Sequence, residues 1–356
     1  MNNLTLATIE IITSCNFKCP HCYLDNKTSL GLDVIEWKNV ITKLILKGCR
    51  KIIITGGEPL LYKDFISLYI FIHQQGIEIS LFTNASLMTE KHFELFEKYP
   101  PSSVSVSIYG KDNRELRSFS KNKRANLDMI MSNIARLERL GITIYKGLTL
   151  CKSISVSSSD LSFFSENKIE INTYLIPSLN YKNNLDERLE PNEIVQIENE
   201  LAMKRIIKND NLSIDNLDYF KKCSGGYSSL FVDQFGRASI CAVYRKKQYN
   251  IIDGNINDVW AELNSISEQF HKIYYDSKCG QCVLNAVCRN CPAYMNLEHG
   301  EYKNEYLCDL ASARINNNGT YVFKTDVFDY CPLACVDDSD GIRLVLSSKL
   351  NNLHFG

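Results

Sequence analysis

The stretch Thr13-Ser14-Cys15-Asn16-Phe17-Lys18-Cys19-Pro20-His21-Cys22-Tyr23 holds three thiols in the spacing C-x3-C-x2-C. Three cysteines ligate three corners of a cubane iron–sulfur cluster and leave the fourth iron open. Ordinary ferredoxin cubanes take four cysteines, and structural zinc sites close all four positions with Cys or His. The set therefore points to a reactive cluster. The alternative is half of a zinc site, with the Cys19 and Cys22 pair and a nitrogen of His21 as ligands.

Outward from this stretch, short β-branched runs alternate with amphipathic helices up to about residue 207, the pattern of successive βα units around a parallel sheet. The expected strands are Leu4–Ile12, Lys51–Thr55, Glu78–Thr83, Ser103–Ile108, Ile142–Leu150 and Ile169–Ile176, enough for an incomplete barrel. Val34, Trp37, Ile41, Leu44 and Ile45 recur at helical spacing, as do Leu127, Ile130, Met131, Ile134, Leu137 and Leu140, and both stripes read as core. The second strand runs into Thr55-Gly56-Gly57-Glu58-Pro59, where two glycines allow close backbone approach to a ligand and Glu58 sets a carboxylate beside it.

The triplet, with a ring residue before its last cysteine and this Gly-Gly-Glu-Pro turn behind it, resembles the signature of the radical S-adenosylmethionine (SAM) enzymes. In that family the open iron chelates the amino and carboxylate groups of SAM, and an electron from the cluster releases a 5′-deoxyadenosyl radical. The resemblance implies an α/β fold, a partial (β/α)6 barrel with its chemistry on loops at the C-terminal ends of the strands. It implies that Cys15, Cys19 and Cys22 hold the SAM cluster and that Gly56, Gly57, Glu58 and Pro59 bind SAM, with Glu58 at its amino group. Thr83 and Asn84 match a polar pair near the ribose, and Ser105 and Ser107 match hydroxyls facing SAM; each is otherwise a strand-end turn or cap. Arg117, ahead of Arg124, is the candidate clamp on the SAM carboxylate, the alternative being a solvated surface charge.

Beyond Cys223 the chain is rich in cysteine and short of long periodic segments. Cys223, Cys241, Cys279, Cys282, Cys288, Cys291 and Cys308 form a series that resembles the SPASM domain of peptide-modifying radical SAM enzymes, which carries two auxiliary [4Fe-4S] clusters. Two zinc sites completed by His271 or His299 are the alternative. The SPASM pattern assigns Cys279, Cys282, Cys288 and Cys308 to a fully ligated distal cluster, and Cys223, Cys241 and Cys291 to a nearer one that is a ligand short. Cys288 and Cys291 lie one residue closer than in the common pattern, and no extra cysteine follows Cys223. The near cluster is then either open to substrate or completed by Cys331 or Cys335. Formylglycine-forming relatives carry an acidic base after the cysteine matching Cys241; Ala242 stands here and turns the expectation away from that chemistry. Cys49 and Cys151 fall outside both arrays as small apolar side chains, with Cys151 also a candidate hydrogen-atom donor.

Three zones are expected: 1–215 the radical SAM barrel, 216–315 the auxiliary-cluster domain, and 316–356 a C-terminal extension. A net charge of -1, 45% apolar and 23% charged content describe an ordinary soluble globular chain with no pull toward nucleic acid. Fourteen cysteines behind an N-terminus without a signal-peptide pattern are expected to be reduced, metal-bound thiolates in a cytoplasmic protein, and no stretch reaches the length of a membrane span.

The expectation from the resemblance is an oxidoreductase with three [4Fe-4S] clusters and SAM, fed by an electron donor such as flavodoxin or ferredoxin, that cross-links or otherwise oxidises a ribosomally made precursor peptide. Many peptide-modifying relatives begin with a small leader-recognition domain, whereas this chain enters its first strand within a few residues, so leader binding is expected from residues 316–356 or a separate protein. The runner-up is a maturase or dehydrogenase acting on a small sugar or cofactor precursor. A zinc-stabilised or electron-transfer module is the rival from another class.

Overall fold

A computed structural model describes residues 3–154, 158–179, 184–204, 223–277, 291–299, 305–316, 322–323 and 344–345, together with Cys279, Cys282, Leu284 and Cys288. The strands β1 (Leu6–Glu10), β2 (Lys51–Thr55), β3 (Glu78–Thr83), β4 (Ser103–Ser107), β5 (Thr143–Thr149) and β6 (Ile169–Asn172) lie side by side in chain order, every pair parallel. Between them run α1 (Val34–Leu46), α2 (Phe65–Gln74), α3 (Glu90–Lys98), α4 (Asn113–Ser120), α5 (Leu127–Arg139) and α6 (Ser158–Glu166). This is the βα alternation expected from the hydrophobic period. The sixth strand stops at Asn172, four residues short of the run read from the sequence, because the chain turns there into the loop that carries Tyr174 and Leu175.

Local chemistry explains the helix starts. Asp33 accepts hydrogen bonds from Ile35 N and Glu36 N while Glu36 reaches back to Asp33 N at 2.8 Å, a complete capping box for α1. Asn126 caps α5 at Met129 N. The two apolar stripes face the sheet: Trp37, Val40, Ile41 and Leu44 of α1 and Leu127, Ile130, Ile134 and Leu137 of α5 are buried. They join the strand side chains in one core.

The sheet does not end at β1. The short strand β7 (Ser229–Val232) pairs parallel with β1, Leu6 opposite Ser229 and Ile9 opposite Val232, and β8 (Arg237–Ser239) and β9 (Tyr249–Asn250) come next, antiparallel. One nine-stranded sheet thus draws strands from both the first and the second of the expected zones. The cysteine-rich zone also holds more regular structure than its sequence suggested. Helix α7 (Pro191–Lys204) precedes it, and α8 (Ile256–Asp276), α9 (Pro292–His299) and α10 (Glu305–Asn316) lie within it. Helix α8 runs 21 residues from its Asn255 cap and buries Val259, Trp260, Leu263, Ile266 and Tyr274.

Polar hooks join this zone to the barrel. Lys43 of α1 donates to the carbonyls of Ile251, Ile252 and Gly254 at 2.8, 2.6 and 3.1 Å. Arg314 of α10 pairs with Glu198 of α7, which also accepts from Thr173 beyond β6. Among the described residues no helix is long and apolar enough to cross a membrane.

Candidate functional site

The loop from β1 to α1 carries the three thiols and is tied down at several points. Ser14 N donates to Thr28 O at 2.8 Å and Thr13 Oγ1 to the same carbonyl at 3.2 Å, closing the loop at its base. Lys18 N donates to Ser120 O, Asn122 Nδ2 to Asn16 O and Asn16 Nδ2 to Ser86 Oγ, anchoring it to α4 and to the end of β3. So held, Cys15, Cys19 and Cys22 line one cavity with Gly56, Gly57, Thr83, Asn84 and Ser107, at the carboxyl ends of the strands. Asn84 bridges the two sides: its Nδ2 donates to Asn16 Oδ1 at 2.9 Å and lies 3.9 Å from Cys15 Sγ.

Cys15 and Cys19 resist ionisation on their own. Burial, opposed by the amide of Phe17, pushes Cys15 up to about 11, with Glu58 and Cys22 adding repulsion. Cys19 is raised further, by burial first and then by Cys22 and Cys15. Lys27, whose Nζ donates to Phe17 O at 3.0 Å on the cavity wall, works in the opposite direction. Three thiols on one short loop, two of them resisting ionisation in the absence of a cation, are the donor chemistry of a metal cluster. His21 stays neutral, lowered to about 3 by burial, with Nε2 2.9 Å from the Tyr109 hydroxyl.

In the Gly-Gly-Glu-Pro turn, Gly56 and Gly57 line the cavity and also pack against the thiol loop. A side chain at Gly56 would stand 2.2 Å from the Ile12 carbonyl, and one at Gly57 2.3 Å from that of Thr13, so the glycines let β2 pack against the thiol loop itself. Gly57 N donates to Ile12 O and Glu58 N to Ser14 O. The Glu58 carboxylate, 0% exposed, points inward: it accepts from Thr83 Oγ1 at 2.7 Å, Asn84 N at 2.8 Å and Leu60 N at 3.1 Å and does not line the cavity. Burial raises its pKa while those three donors oppose the shift. Pro59 is buried at the start of the following 3-10 turn.

Other expected positions separate. Ser107 lines the cavity; Ser105, two residues back in β4, is buried away from it. Arg117 is exposed on the last turn of α4, donates from Nε to Ala125 O and does not line this cavity; Arg124 is exposed as well. Cys151 is 0% exposed in the apolar core, raised to about 12 chiefly by burial, and is absent from the cavity wall. Cys49 is likewise core. On the far wall, Thr149, Glu170, Asn172 and Tyr174, with Lys27 on the loop, are cavity residues that the sequence reading missed. The rule that strand ends face the site, applied to β5 and β6 as it was to β2 and β3, would have found the first three.

The C-terminal cysteines fall into neighbouring groups. Cys291 is raised mainly by burial and further by Cys241 and Cys223, and Cys308 by burial and then by Cys279 and Cys282. Cys288 Sγ lies 3.8 Å from Leu307 O, beside Cys308. Among the described residues no three His, Cys, Asp or Glu side chains close around a single ion. Cys331 and Cys335 lie outside the described residues.

The Radical SAM superfamily profile matches residues 9–153, the span from β1 past β5 that builds the thiol loop and most of the cavity. Residues 9–153 carry a radical SAM domain. Three curated relatives and one solved structure show its range. The S-adenosylmethionine-dependent nucleotide dehydratase of Selenomonas ruminantium is 32% identical over 28% of this chain, a match that spans 37% of that relative's length. The antilisterial bacteriocin subtilosin biosynthesis protein AlbA of Bacillus subtilis is 23% identical over 86% of this chain and 70% of its own. The AdoMet-dependent heme synthase of Nitratidesulfovibrio vulgaris is 21% identical over 86% of this chain and 92% of its own. In fold, the chain resembles Streptococcus suis SuiB bound to the precursor peptide SuiA, at a TM-score of 0.65 and 16% identity, covering 86% of this chain and 76% of that one.

Proposed function

We propose that this radical SAM enzyme oxidatively modifies, by cross-linking, a ribosomally made peptide, with Cys15, Cys19 and Cys22 as ligands of a SAM-binding [4Fe-4S] cluster. The observation that carries the reading is the convergence of those thiols with Gly56, Gly57, Asn84 and Ser107 on one cavity at the strand ends. Bound there, the cluster and SAM supply a 5′-deoxyadenosyl radical. The chain's own residues hold the site. The Thr13–Thr28 bonds fix the loop, Asn84 orients Asn16 and the Cys15 sulfur, and the neutral His21 packs with Tyr109 to keep the wall beside the cysteines apolar. The far wall of Thr149, Glu170 and Asn172 remains for substrate.

The neighbouring thiols Cys223, Cys241 and Cys291, and Cys279, Cys282 and Cys308, with Cys288 by the last, support two auxiliary clusters in a SPASM-type domain. The bacteriocin-biosynthesis relative supports a peptide substrate. A second reading, a small-molecule oxidase, rests on the heme synthase match, which spans most of both chains.

Replacing all three loop cysteines with Ala is expected to remove one cluster's worth of iron and abolish 5′-deoxyadenosine formation under dithionite, with the remaining iron retained. Continued 5′-deoxyadenosine release would overturn the ligand assignment. Mass spectrometry of short peptides encoded beside the gene, after incubation with the reduced enzyme and SAM, is expected to show loss of a hydrogen pair. Turnover of a tetrapyrrole or other small substrate, with every such peptide left unchanged, would favour the second reading.

A further inference from the structure

Glu10, the last residue of β1, is 0% exposed, and its carboxylate meets Arg245 in a two-point fork: Nη1 to Oε1 at 2.9 Å and Nη2 to Oε2 at 2.8 Å. The remaining guanidinium edge is used as well, Nε donating to the carbonyl of Ala242 at 2.7 Å, and the plane lies 4.6 Å from the centre of the Phe231 ring. On the other side stands Tyr23, whose hydroxyl is held well above the usual phenol range by burial first and then by the charge of the same carboxylate. Tyr23 follows Cys22 and lines the cavity; Ala242 follows Cys241. A chain of side chains thus runs from one cysteine set to the other.

Docking the two zones does not require this pair. The backbone ladder between β1 and β7 already joins them, and Lys43 adds three carbonyl contacts. A buried ion pair is a poor source of stability compared with apolar packing of the same volume, because desolvating both charges offsets their attraction. What a planar fork held on three sides does supply is direction: it fixes an angle as well as a distance. The Arg245 side chain is 16% exposed, so few other orientations are open to it.

We propose that Glu10 and Arg245 are positioning residues that lock the Cys241 turn against the Cys22–Tyr23 loop and so set the relation between the two thiol sets. The proposal rests on reading Cys241 as a ligand of an auxiliary cluster.

The test uses the full-length, cluster-loaded enzyme and reads iron content and the EPR spectra of the reduced clusters. Cys241→Ala comes first: unchanged iron and spectra in that variant would remove the ligand reading, and the inference with it. With iron lost in Cys241→Ala, Arg245→Lys keeps the charge and loses the fork. It is expected to retain its iron while the auxiliary resonance shifts and broadens and the mutual relaxation of the two reduced clusters changes. Glu10→Gln, isosteric and uncharged, is read the same way and stands in where Arg245→Lys does not fold. Spectra superimposable on the parent's in a folded, iron-replete variant would overturn the inference while leaving the ligand reading intact.

Discussion

From β1 to β6 the chain is held by backbone ladders and buried aliphatic side chains, with polar contacts added at the strand ends. Beyond Cys223 the strands run two to four residues, and the zone is fastened by Lys43, by Arg245 and by Arg314 with Glu198. The barrel wall encloses its own apolar core. The second zone meets that core along β7 and α8 but places Cys279, Cys282 and Cys308 at or near the surface. A wall of the first kind needs no metal to keep its shape; a zone of the second kind depends on whatever the thiols bind.

Stripping the iron is the sharpest way to break this contrast. Under anaerobic chelation, limited proteolysis is expected to open the segment from Cys279 to Asn316 completely while a fragment containing residues 3–150 stays protected. Equal loss of protection in both would end the distinction. Next in size is Glu58→Ala, which leaves three buried donors without an acceptor and is expected to destabilise the barrel by about 3 kcal/mol. Thermal melting measures it. Because the carboxylate stands behind the cavity wall, the loss in SAM affinity is expected to track the loss of folding. Weak SAM binding in a variant that melts like the parent would return Glu58 to direct contact. Smallest is Lys43→Met, which gives up bonds to three carbonyls in a half-buried place and is expected to cost about 2 kcal/mol in denaturant unfolding. The barrel's core should be unaffected, so the effect should concentrate where β9 meets α1.

The same contrast governs what the sequence reveals. β1 to β6 were legible because Ile52, Ile53 and Ile54, or Val104 and Val106, are runs that only a buried strand explains. β7 was not, since Ser229-Leu230-Phe231-Val232 is four residues long and its pairing partner lies at the other end of the chain. α8 went unread although Val259, Leu263, Ile266 and Tyr274 recur at helical spacing, because the cysteines flanking it set the expectation of loops. In the site, residue types at strand ends were readable and side-chain directions were not. Ser107 and Asn84 turned toward the cavity, whereas Ser105, Glu58 and Arg117 turned elsewhere. Glu10 and Arg245 carry no local pattern at all; the two come together only through the pairing of β1 with β7.

That pairing has a consequence for how the chain is made. β1 leaves the ribosome ahead of both its neighbours and gains one of them as soon as Lys51–Thr55 emerges, but its other edge waits for Ser229–Val232. Throughout synthesis of the intervening barrel, Leu6 to Ile9 present a row of unpaired peptide groups beside the three thiols, an open template for a strand from another chain. Closing that edge over so long a span of sequence is a slow, late step. The nascent protein is therefore most exposed to misassembly at the edge beside its reactive cysteines, for as long as synthesis of the intervening barrel lasts.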